Sequence, residues 1–140
     1  MLRRGRDAFL VSTTGRVLRT LAHPRRSSLP RLWLPSHAQV TVGARLEPGA
    51  GQGAAVALTS LRGASLPSAA REVQVDGQEL TILLASGFQV RLGDSGDVRL
   101  KLAIARRIFR AAAIGPTSVG YLDVSVPERP VLNTNPQVVG

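Results

Sequence analysis

The residues of this 140-residue chain that could do chemistry are few and scattered. Acid–base catalysis needs titratable groups converging in a cleft. The only histidines, His23 and His37, sit beside prolines or polar residues in text that reads as loop. Cysteine is absent, which excludes a thiolate nucleophile, a thiolate metal site and a disulfide framework. The nine carboxylates fall mainly where turns and helix starts want them: Asp76 in a turn, Asp94 and Asp97 before a helix, Glu72 and Glu79 at strand ends. Asp94-Ser95-Gly96-Asp97 has the outline of a cation loop but too few oxygens for calcium. Gly49-Ala50-Gly51-Gln52-Gly53 is dense in glycine like a phosphate-binding loop. It lacks the Gly-Lys-Ser/Thr ending and no apolar strand leads into it, so it reads as flexible linker. The expectation is a protein that is not an enzyme, with no cofactor, no metal and no small-molecule substrate.

Charge is the other candidate carrier of function. The formal net charge is +9, and residues 1–31 hold eight arginines (3, 4, 6, 16, 19, 25, 26, 31) against Asp7 alone. The remaining 109 residues carry ten basic and eight acidic groups, so the basicity is an N-terminal property. All the basic residues except Lys101 are arginine. Guanidinium binds phosphate bidentately, but the same bias follows from a GC-rich coding sequence. Phe9 and Trp33 are the aromatics of this third, and Phe9 lies in an apolar run that reads as core. A small basic nucleic-acid-binding protein is therefore the alternative reading, one whose affinity would fall steeply with salt. A basic face towards anionic lipid or acidic protein, or a merely solvated surface, would use the same residues.

The elements that must position these groups are clearer. Apolar residues make up 44% of the chain, enough for a real core. The longest run without a charge, Pro48–Leu61, is 14 residues, whereas a bilayer-spanning helix needs about 20. Ala8–Ser12 and Val17–Leu21 flank a polar turn at Gly15 and predict a hairpin. Leu29–Pro35 reads as an extended segment pinned onto the core rather than a central strand, because Pro30 and Pro35 cannot donate to a ladder. Val40-Thr41-Val42 reads as a further short extended piece, and Ala54–Leu61 as a short helix. Glu72–Asp76, Leu80–Ala85 and Phe88–Leu92, with Asp76-Gly77 and Ser86-Gly87 between them, predict a three-stranded antiparallel meander. A helix over Asp97–Ala113 would gather Val98, Leu102, Ala105, Phe109 and Ala112 on one stripe, with Arg99, Arg106, Arg107 and Arg110 opposite. Val119–Val126 is a final strand, and Pro127, Pro130 and Pro136 make the tail extended without regular pairing throughout. The fold class is α+β: an antiparallel, multi-stranded sheet packed with two helices.

The succession Gly87-Phe88-Gln89-Val90-Arg91-Leu92-Gly93, then Lys101-Leu102 in an amphipathic helix, then Tyr121-Leu122-Asp123-Val124, resembles the C-terminal β-domain of the bacterial cell-division family FtsQ/DivIB. Phe9-Leu10-Val11 with Gly15-Arg16-Val17, and Leu29-Pro30-Arg31-Leu32 after it, are similar to that family's opening hairpin and Leu-Pro segment. The resemblance covers about residues 7–132, leaving 1–6 as a basic start and 133–140 as an extended tail. It departs at Asp123-Val124-Ser125, where the family writes Asp-Leu-Arg. The family's cytoplasmic tail, transmembrane helix and POTRA domain lie outside these residues, so on this reading the chain is a fragment, a truncated gene product or an anchor-less variant, soluble as written, and residues 1–6 are residual linker. The resemblance implies a non-catalytic divisome scaffold on the outer face of the cytoplasmic membrane. It would bind small coiled-coil partners of the FtsB/DivIC and FtsL type during septum formation. Carried over by position, the partner site comprises Lys101, Tyr121, Asp123, Val124, Ser125, Val126, Pro127 and Val131.

The prolines add a physical expectation. A last strand followed by Pro127, Pro130 and Pro136 should lie at a sheet edge, open to a partner strand through main-chain bonds. Tyr121, Asp123 and Ser125 would share one face, and Leu122, Val124 and Val126 the other. Lys101, near the start of the preceding helix, would offer a charge to an acidic partner.

Overall fold

The structure, a computed structural model, describes residues 1–22, 29–47, 50–61 and 65–134. Its strands are β1 (Leu2–Arg4), β2 (Asp7–Val11), β3 (Val17–Thr20), β4 (Arg31–Leu34), β5 (Ala70–Asp76), β6 (Glu79–Leu84), β7 (Gln89–Gly93), β8 (Tyr121–Asp123) and β9 (Val131–Asn133). Helix α1 (Ala50–Ser60) lies between β4 and β5 in sequence, and α2 (Val98–Ala111) between β7 and β8. All nine strands form one sheet in the order β3-β2-β1-β4-β5-β6-β7-β8-β9. The ladders are antiparallel except β1·β4, β4·β5 and β7·β8, so the sheet is mixed rather than purely antiparallel. The fold is α+β.

The meander over β5, β6 and β7 follows its alternation. Val73, Val75, Leu80, Ile82, Leu84, Val90 and Leu92 are buried on one face, while Gln74 and Arg91 point away. Asp76 pairs with Glu79 across a tight turn whose Gly77 has φ +59, a conformation that favours glycine. The hairpin of β2 and β3 is also as expected. Both helices cover the same face of the sheet, contributing Ala54, Ala57, Val98, Leu102, Ala105 and Phe109 to one core. The ring of Phe109 meets that of Phe88 edge-on, 5.7 Å between centroids.

Four features differ from expectation. The basic start is no linker: Leu2–Arg4 is a strand between β2 and β4, with Leu2 fully buried. The Trp33 segment is a central strand, since Pro30 and Pro35 fall just outside Arg31–Leu34 and remove no ladder bond within it. The glycine-rich text is helical from Ala50 onward rather than linker. A Cβ on Gly53 would land on the side chain of Ser95, so glycine lets α1 lie against the 94–97 loop. Val40-Thr41-Val42 forms no strand; the neighbouring Arg45 makes a single bridge to Arg16. The loop His23–Ser28, the Pro48-Gly49 pair and Pro136 in the tail lie outside the described residues.

The register carries one row straight across the face that the helices leave open: Ala8, Arg3, Trp33, Gln74, Thr81, Arg91, Asp123 and Val131. Arg3 stacks over the Trp33 ring at 5.2 Å, and the Trp33 Nε1–H donates to Glu72 Oε2 at 3.0 Å. This row ends at β9.

Candidate functional site

The loop that suggested a cation site is built as a support for α2. Lys101 Nζ donates to Asp94 Oδ1 at 2.8 Å and to the Asp94 carbonyl at 3.1 Å. Its side chain is 4% exposed, against 73% for Asp94. The ammonium is thus turned inward along a buried stem and spends its charge within the fold. This corrects the expectation that Lys101 faces an acidic partner. Asp97 stands at the helix N-cap with φ +49 and makes no side-chain capping bond, so neither Asp94 nor Asp97 caps α2 as expected. Among the described residues no three His, Cys, Asp or Glu side chains converge as metal ligands.

The hydrogen bond from Lys101, then that from the Gly96 N–H, then the Lys101 charge hold the Asp94 carboxyl below the ordinary aspartate value. A carboxylate with a depressed folded-state pKa stabilises the fold above its unfolded value, and that contribution is lost as pH falls through the folded value. Stability should therefore drop as pH falls below the ordinary aspartate value of 3.8, and D94N should flatten the profile in that window. Thermal melts of both proteins between neutral and strongly acidic pH measure this; parallel profiles would remove Asp94 from the account.

The expected docking strand is shorter and lies one place further in. β8 spans only Tyr121–Asp123 and is flanked by β7 and β9, so it is not the edge. Leu122 and Val124 are buried, and Tyr121 and Asp123 are half-buried on the open face. The guanidinium of Arg91 lies 4.0 Å from the Tyr121 ring centroid. After Asp123 the chain turns: the Ser125 N–H and Oγ–H both donate to Asp123 Oδ1, at 2.9 and 2.6 Å. The turn takes Val126 out of alternation, leaving it exposed where the strand pattern put it in the core. Ser125 packs against Gly93, where a Cβ would come within 2.6 Å of the serine Cβ.

The edge strand is β9, a segment that reads in sequence as tail. The Gln89 N–H donates to the Gly120 carbonyl and the Val124 N–H to the Arg91 carbonyl. These bonds fix the alternation along β8: Leu122 turns its main chain to β7, and Tyr121 and Asp123 turn theirs to β9. Their partners Asn133 and Val131 face back, so the N–H and C=O of Leu132 point to the outer side. Pro130 precedes the strand and offers no donor. A groove lined by Ala112, Ala113, Ile114, Ser118, Leu132 and Thr134 runs between this side and the end of α2. Val131 is 53% exposed at the end of the cross-sheet row. The signal that could have revealed β9 is small: a β-branched residue and a leucine between Pro130 and Asn133.

Three of the N-terminal arginines are held by partners within the fold. Arg3 lies on Trp33, Arg4 bonds to Asp7 and the Ala38 carbonyl, and Arg16 bonds to the Gly43 carbonyl. Arg25 and Arg26 fall outside the described residues.

A mixed nine-stranded sheet with two helices on one face and β9 at its end defines an α+β domain. The family model described as cell division protein FtsQ/DivIB, C-terminal, matches residues 1–125, and the chain belongs to that family. It is a family of non-enzymatic, membrane-associated cell-division proteins, so the chain's role lies in cell division. Comparison with curated proteins gives no match. Among the described residues no helix is long and apolar enough to cross a membrane.

Proposed function

We propose that this domain is a non-catalytic divisome scaffold that captures small coiled-coil partners of the FtsB/DivIC and FtsL type at the outer face of the cytoplasmic membrane during septum formation. Capture is by β-augmentation: a partner segment adds a strand beside β9. The observation that carries this is the outward-facing main chain of Leu132 on the terminal strand of the sheet. The adjoining groove takes alternate side chains of the added strand, while Val126 and Val131 are exposed and Pro127 is half-buried beside the strand. Tyr121, Asp123 and Ser125 hold the corner from which β9 returns, and buried Val124 anchors it to the core. Lys101 acts one step back, by fixing the loop before α2.

The test is Leu132→Pro, which removes an N–H that no strand of the sheet uses. Capture of the partners should weaken by at least about tenfold, the worth of one to two main-chain hydrogen bonds. Near-ultraviolet circular dichroism of Trp33 should be unchanged. Wild-type affinity in a folded variant would exclude β9 as the docking strand.

A further inference from the structure

Four arginines stand together on one side of α2. At 100° per residue Arg99, Arg106 and Arg110 stand in one line, with Arg107 beside them and Leu100, 52% exposed, next to it. The line from Arg99 to Arg110 is about 16 Å long. No hydrogen bond, ion pair or ring contact holds any of these four guanidiniums among the described residues, in contrast to Arg3, Arg4, Arg16 and Arg91. Neither α1 nor α2 contains a carboxylate, and the Lys101 charge is already met by Asp94. The helix layer therefore presents four uncompensated positive charges on a rigid support.

We propose that this face of α2 docks on an anionic lipid surface. Guanidinium forms paired, charge-assisted hydrogen bonds with phosphate oxygens. An acidic peptide would need a groove or an open strand edge, and the clefts beside α1, β4 and β9 include none of the four arginines. The arginines stand instead on the convex outer side of a helix, which matches a plane of headgroup phosphates that can move laterally to meet them. None of the four arginines lines the groove beside β9, so lipid docking and partner capture use different side chains.

The experiment is co-sedimentation of the intact chain with phosphatidylcholine vesicles, with and without phosphatidylglycerol. Binding should require phosphatidylglycerol and weaken with salt, because exposed charges are screened. Each arginine removed should cost about fivefold in partition coefficient, so the triple variant R99Q/R106Q/R110Q should lose about a hundredfold. The same three positions changed to lysine should stay within about tenfold of the parent, which keeps the test decisive where the glutamine variant folds poorly. R6Q/R19Q/R45Q, with the same loss of net charge elsewhere, should bind within a few-fold of the parent. Equal losses in the two glutamine triples would assign binding to net charge and overturn the proposal. Failure to bind phosphatidylglycerol vesicles would overturn it too, as would binding of an acidic peptide at these arginines in place of the vesicles. L132P should leave vesicle binding unchanged, which separates this surface from the partner edge.

Discussion

Truncating Phe88 to alanine should destabilise the domain by about 3–5 kcal/mol, the range for removing a fully buried aromatic side chain. Phe88 is 0% exposed and stands just before β7, where the meander meets α2. Its loss removes apolar area from the core and leaves Phe109 facing a void, because the two rings pack in a T-shaped contact. The neighbours cannot collapse into the space freely. Phe88's own N–H is held by Ser86 Oγ at 3.2 Å, and its carbonyl accepts the Leu84 N–H at 2.9 Å. Phe109→Ala should cost less than the sum of independent losses when combined with Phe88→Ala, with a coupling of about 0.5–1.5 kcal/mol for the edge-to-face pair. Denaturant titrations of the two single variants and the double variant measure all three quantities. A cost below about 1 kcal/mol for Phe88→Ala would show that this ring does not hold the meander to α2.

How much of this fold can be read from the residues depends on the range over which each element is determined. The meander and α2 are determined locally, by periods of two and 3.6 and by turn signals such as Asp76-Gly77. Their buried residues are accordingly legible: Phe88, Val90 and Leu92 on one face, and Val98, Leu102, Ala105 and Phe109 on one stripe. β1 and β9 have three residues each, too few to show a period, and exist because neighbouring strands pair with them. Leu2, for example, pairs with Leu32. β4 departs from expectation because its prolines bound the strand and do not interrupt it. In α1 the low helix propensity of Gly51 and Gly53 is offset by close approach to Leu46 and Ser95, which sequence does not display.

The candidate site shows the same division. Asp123 and Ser125 read as neighbours on one strand face, but their mutual hydrogen bonds form a turn, and a turn displaces the edge from β8 to β9. Lys101 stands out by resemblance to a family pattern, and a pattern of residue types does not say whether its charge is available. A long side chain whose stem lies in the core and whose head reaches a neighbouring carboxylate cannot be told from an exposed lysine by sequence alone.

The same geometry makes Gly120 the residue on which β9 depends. Its φ is +127, a region that residues with a side chain rarely adopt, and a Cβ there would fall on the carbonyl oxygen of Asn133. Backbone strain of this kind costs about 1–3 kcal/mol. The overlap is with main-chain atoms, so no change of rotamer relieves it. One of the two strands must move, and Gly120 is held on its other side by the Gln89 N–H at 3.0 Å. The movement therefore falls on β9. In Gly120→Ala the strand Val131–Asn133 should detach while β1 to β8 and both helices persist, with only a modest fall in melting temperature. If re-forming β9 costs about 2 kcal/mol, the docking-competent population is near one in thirty, and apparent affinity for a strand-donating partner falls about thirtyfold. Hydrogen exchange reports the same event without any partner, because the amides of Tyr121 and Asp123 lose their β9 acceptors and should exchange faster, whereas that of Val124, bonded to the Arg91 carbonyl, should not. Unchanged exchange at Tyr121 and Asp123 would mean that β9 tolerates the new side chain. Faster exchange with wild-type partner affinity would mean that β9 is not where the partner binds.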